Sequence, residues 1–120
     1  MGFIEGVSSI LITISMFFGT WGIDYAEMGA FRYEAEAQES MMVSFYDENI
    51  CRMDMSGESY EGMWYFTKDE QTGKAMFPGM ETVYEIEIVK DESDKPLLRL
   101  TDADDGSTVF YFGFMEENGK

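Results

Sequence analysis

Carboxylates are the one reactive group this chain supplies in quantity: 24 Asp and Glu stand against 8 Lys and Arg, for a net charge of −16 over 120 residues. They gather most densely at Asp102, Asp104 and Asp105, just before Gly106. Clustered acids are what calcium requires, since it takes several hard oxygens at about 2.4 Å. The EF-hand loop places oxygen ligands at its first, third and fifth positions and glycine at its sixth. Counted from Asp102, Gly106 is the fifth. The spacing reads as a solvated hairpin turn, and no metal is assigned. Paired carboxylates about 5–10 Å apart across a cleft also cleave glycosidic bonds. With 24 acids, pairs at that separation arise by chance. Glu85 and Glu87 fall on the solvent side of their strand rather than in a cleft. No catalytic residue is assigned, and the chain is read as a non-enzyme.

Other chemistry is thinner still. The sequence contains 0 histidines. That removes the Ser-His-Asp triad, the Cys-His pair, the HExxH zinc site and the usual general base near neutral pH. Cys51 is the single cysteine, so it has no partner for an internal disulfide. Met53 and Met55 follow it at two-residue spacing, which makes it a small buried hydrophobe rather than a reactive thiol. Nucleic acids and anionic membrane surfaces bind through clustered cations. No run of Lys and Arg occurs here, so both are rejected as partners. A basic protein is the macromolecular partner that the charge permits. No cofactor is implied.

What could position such groups is a series of short strands. Breaks at Glu48-Asn49, Ser56-Gly57, Thr72-Gly73, Asp94-Lys95-Pro96 and Asp105-Gly106 divide the chain into strand-sized pieces with hairpin-length links. Period-2 alternation places Trp21, Ile23 and Tyr25 on one face. It does the same for Met41, Val43 and Phe45, for Cys51, Met53 and Met55, and for Tyr60, Trp64 and Phe66. Tyr84, Ile86 and Ile88 share a face, as do Leu98 with Leu100 and Phe110 with Phe112 and Phe114. Phe31, Tyr33, Ala35 and Ala37 also alternate, although the Glu and Ala content there suits a helix too. The expectation is an all-β fold: a single antiparallel up-and-down meander of about eight strands closed into a barrel.

Residues 1–18 are set apart from the barrel domain at 19–120. Val7–Phe18 is uncharged and apolar, and its twelve residues are too few for a membrane-spanning helix. The length suits a signal-peptide core, but Glu5 stands where a basic flank belongs and the first cation is Arg32. Two readings stand. One is a structural segment, either a short helix over one barrel end or a first strand, which leaves the cytoplasm open. The other is a degenerate export signal, which puts the protein outside the cell or in its envelope.

Gly19-Thr20-Trp21 resembles the G-x-W signature of lipocalins and the wider calycin group. The chain is more specifically similar to the small bacterial lipocalin-like domains. Those read as a GTW start, an F-x-D-G hairpin, a G-x-W/Y strand and a late L-x-L-T-D-x-D-G…Y-x-F hairpin. The counterparts here are Phe45–Asn49, Gly62-Met63-Trp64, and Leu98–Asp102 with Tyr111-Phe112. The resemblance covers about residues 17–115. It implies a barrel whose Trp packs at the closed end under an Arg from a late strand, and export in many members. Arg99 is the late Arg available, and its alternation with Leu98 and Leu100 points it outward.

The inward aromatic and methionine set has two uses. It can fill the barrel, or it can line an apolar cavity in which soft methionines adapt to a ligand. The leading expectation is a non-catalytic binding module holding a small hydrophobic ligand at the open barrel end. Tyr33, Phe45, Met53, Trp64 and Phe112 are its contact residues. The alternative is a structural or protein-interaction domain with a filled core, which uses its acidic outer face or its strand edges on a partner.

Overall fold

Alternation of apolar and polar residues writes most of the wall. The computed structural model describes residues 18–46, 49–67 and 72–117. Its strands are β1 (Gly19–Met28), β2 (Phe31–Glu34), β3 (Met41–Tyr46), β4 (Ile50–Met55), β5 (Glu58–Thr67), β6 (Thr72–Phe77), β7 (Thr82–Lys90), β8 (Pro96–Asp102) and β9 (Thr108–Glu117). All pair antiparallel in the order β2-β1-β3-β4-β5-β6-β7-β8-β9, and a further β1–β9 pairing closes the sheet on itself. Eight strands form the ring, as the turn spacing predicts. β2 lies beside the far half of β1, outside the ring.

The turns carry the residues their backbone needs. Gly29, Asn49 and Gly57 take left-handed φ of 63°, 63° and 80°. Asp91 Oδ1 accepts from the Ser93 and Lys95 amides at 2.7 and 2.9 Å, closing the β7–β8 turn. Two strands cross so closely that no side chain fits between them. A Cβ on Gly73 would overlap the Tyr65 carbonyl, and one on Gly62 the Met76 carbonyl.

Inside the ring, the expected inward positions of β3, β4, β5, β7 and β8 are inward. Val43, Phe45, Cys51, Met53, Leu98, Leu100 and Phe112 are fully buried in one cluster with Trp21 and Phe77. Two expectations change. Asp24 is an extra residue on β1, because Ile23 pairs with Phe112 while Tyr25 pairs with Tyr111. A bulge of this kind reverses which side chains face in. Trp21 and Ile23 point inward, but beyond Asp24 the inward residue is Ala26 and Tyr25 lies outside. The Phe31–Ala37 alternation also yields only the four residues of β2, all exposed. The chain then leaves the sheet in a short 3-10 turn at Gln38–Ser40. Gln38 Nε2 donates to Asp24 Oδ1 at 3.0 Å, which ties that excursion to the bulge.

Residues 1–17 lie outside the described residues, and with them the alternatives for the N-terminal segment. Among the described residues, no helix is long and apolar enough to cross a membrane.

Gly73→Ala should lower stability by about 1–3 kcal/mol in urea unfolding, since the added carbon meets backbone rather than a movable side chain. Gly106→Ala, where a Cβ meets nothing within 4 Å, should stay within about 0.5 kcal/mol of the parent.

Candidate functional site

An eight-stranded ring is just wide enough for side chains to fill it, and here large ones do. Phe45, Met53 and Phe112 have 0% exposure in the core, and Trp64 has 8%. The Phe45 and Trp64 rings meet edge-on with centroids 5.2 Å apart. Trp64 Nε1 donates to the Tyr46 carbonyl at 3.1 Å, and Phe18 packs edge-on against its ring. Trp64 therefore sits at the end of the barrel where β1 begins. Tyr33 pairs with Ala26, toward the other end of β1, and is 53% exposed. Four of the five candidate contact residues thus belong to one packed core, and Tyr33 stands apart from them.

Trp21 has no exposed surface and packs edge-on against Phe114, centroids 5.2 Å apart. Its Nε1 has no hydrogen-bond partner among the described residues. Arg99 does not cover it. Arg99 faces outward, as its alternation predicts, and forms an ion pair with Glu87.

The Asp102 and Asp105 carboxylates are taken up by local structure. Asp102 Oδ1 accepts from the Asp104 and Asp105 amides at 2.9 and 3.1 Å. Asp105 accepts from the Ser107 amide and hydroxyl at 3.1 and 2.6 Å and from the Thr108 hydroxyl at 2.8 Å. The Ser107 and Thr108 hydroxyls hold the Asp105 carboxyl below its usual range. These bonds make a hairpin turn. Among the described residues, no three His, Cys, Asp or Glu side chains are placed to hold a metal ion.

The feature that residue-by-residue alternation does not display lies on the outside. Ile50 pairs with Met63, Met63 with Met76, and Met76 with Val83. The register thus lines up an apolar row across β4, β5, β6 and β7. Ile50, Met63 and Met76 are 43, 60 and 44% exposed, and Tyr65 beside them is 52% exposed. Met63, Met76 and Val83 of this row, with Asn49, Trp64, Tyr65 and Lys74, line an open cleft of about 460 Å³. Asn49 Nδ2 donates to the Trp64 carbonyl at 2.9 Å. The neighbouring cleft, on the outer face of β5–β8, is polar and about 360 Å³; Lys74, Glu85, Glu87 and Arg99 line it. A third outward feature is an aromatic stack. Tyr25 and Tyr111 lie parallel with centroids 4.5 Å apart, and the Arg32 guanidinium sits 3.7 Å from the Tyr25 ring centre.

No protein-family model matches this chain, and no curated protein matches it. A solved structure does match: the crystal structure of a DUF4847 family protein from Bacteroides vulgatus ATCC 8482. It aligns with a TM-score of 0.57 at 12% identity, over 89% of this chain and 99% of that one. The likeness is one of fold, a small β-barrel.

The Cys51 thiol is fully enclosed, and burial pushes its pKa from 9.0 up to about 12. The folded state therefore favours the protonated thiol. That contribution is complete below pH 9 and is lost as the pH rises toward about 12. In urea unfolding, the stability of the parent relative to Cys51→Ala should be flat up to pH 9 and should fall above it. Ellman's reagent should label the thiol only in unfolded protein.

Proposed function

We propose that this chain is a non-catalytic binding module of the lipocalin-like kind whose working surface is the outside of its wall. The cleft over Met63, Met76 and Val83, beside Ile50, binds an apolar segment of a basic partner protein. The observation that carries this reading is the exposed apolar row, held in register by four neighbouring strands on a chain that is otherwise strongly acidic. Exposed apolar residues scattered singly are ordinary, but a contiguous set beside a shaped cleft marks a contact site. Methionines suit it, because their unbranched side chains repack around different partners. The net charge of −16 attracts a cationic partner over long range, while the apolar floor supplies the short-range affinity. The filled core supports the same choice: Phe45, Met53 and Phe112 already occupy the space that an enclosed ligand would take.

The test is a titration with an amphipathic Lys/Leu peptide and, separately, with the dye ANS. Met63 and Met76 are exposed and face one another across β5 and β6, so the uncharged Met63→Thr/Met76→Thr should leave the melting temperature nearly unchanged while weakening both interactions by about tenfold or more. Peptide affinity of the parent should also fall as salt rises. Peptide and dye binding indifferent to the double substitution would overturn the reading. Fatty-acid quenching of tryptophan emission that survives the substitution would return the ligand to the barrel interior.

A further inference from the structure

Among the described residues, the most exposed strand is also the one at the end of the strand order. β2 pairs with β1 on one side, and among the described residues no strand pairs with its other side. All four of its residues are exposed. Phe31 and Tyr33 occupy one face, 68 and 53% exposed, with Met28 of β1 beside them at 44%. Arg32 and Glu34 occupy the other face and pair with one another across it. An unpaired edge of this kind is a template for another strand.

The hydrogen-bond phase of the edge follows from its inner side. The Ala35 amide donates to the Asp24 carbonyl at 2.9 Å. Because inward and outward bonding alternate along an antiparallel strand, Phe31 and Tyr33 also bond toward β1. The amides and carbonyls of Arg32 and Glu34 are therefore the ones aimed at the free edge. A second copy related by a two-fold axis meets this edge antiparallel. Only three registers then satisfy the outward groups of β2. One sets Arg32 opposite Arg32, one sets Glu34 opposite Glu34, and both place like charges face to face, which destabilises a strand pair. The third sets Arg32 opposite Glu34 twice and Tyr33 opposite Tyr33 on the axis.

We infer that β2 is a homodimerisation edge, joining two copies in the register that pairs Arg32 of each chain with Glu34 of the other. The strand has no net charge of its own, so it is a site where two copies of a chain of −16 can approach. The pairing makes one continuous sheet through β9, β1 and β2 of both copies, and brings two exposed aromatic pairs together on one face. This surface is distinct from the cleft on β4–β7, so the two proposals fail or stand separately.

Analytical ultracentrifugation of the full chain over a concentration series, at physiological salt, tests it. The parent should dimerise reversibly. Arg32→Glu alone, or Glu34→Arg alone, should raise the dimer dissociation constant by about tenfold, because each turns two attractive contacts into two repulsive ones. An equimolar mixture of those two variants should form a heterodimer, since the carboxylates of one chain then face the guanidinium groups of the other. The double variant Arg32→Glu/Glu34→Arg should regain self-association but should not cross-pair with the parent. Circular dichroism of each variant checks that the barrel is intact. A parent that stays monomeric throughout the series, or a dimer that ignores these charge changes, would overturn the inference.

Discussion

The β1–β9 seam is the interaction on which everything else rests. Without it the meander is an open sheet with two long edges, and Trp21, Ile23 and Phe112 line a face with nothing opposite. With it, nine residue pairs from Gly19↔Glu117 to Met28↔Thr108 close the ring. The seam accepts two irregularities to do so, one between Thr20 and Trp21 and one between Ile23 and Tyr25. Trp21, on the seam, has an indole nitrogen buried without a partner among the described residues. A lost hydrogen bond of that sort costs about 1–3 kcal/mol. Removing a buried ring as large as Trp costs about 3–5 kcal/mol, so the enclosed indole is still a net gain.

Closure also sets what fills the inside of the ring. A ring of eight short strands that encloses Trp21, Phe45, Phe77 and Phe112 has spent its interior on side chains. The outer wall is the other face of the same strands. There the same register that stacks rings inside stacks Ile50, Met63, Met76 and Val83 outside. Lys74 lies beside that row in the cleft. Beyond the seam, β1 outruns β3, and β2 attaches to the overhang as an edge with no strand beyond it among the described residues.

Much of this was legible in the alternation. For β7, Tyr84 and Ile86 against Glu85 and Glu87 give the inner and outer faces correctly, and Leu98 and Leu100 against Arg99 do the same for β8. Asn49 announces its left-handed turn by residue type. The Asp24 bulge was not legible, because an extra residue in one strand is defined only against its partner, and it is why Tyr25 lies outside rather than with Trp21. The apolar row was missed for a related reason. Met63 and Tyr65 could be placed on the outward face from β5 alone, but that Ile50, Met76 and Val83 join them depends on three separate strand registers. The candidate contact residues were chosen from the inward aromatic and methionine set, and of these Phe45, Met53 and Phe112 are buried in the core.

Native-state hydrogen exchange of the full chain, followed residue by residue by NMR, measures the seam directly. If the barrel is closed and solid, the bonded amides of β1 and β9 from Trp21 to Val109 exchange only through global unfolding, with the same free energy and urea dependence as those of β7 and β8. Seam amides that exchange orders of magnitude faster, with little dependence on urea, would show a sheet that opens between β1 and β9 and would contradict the account.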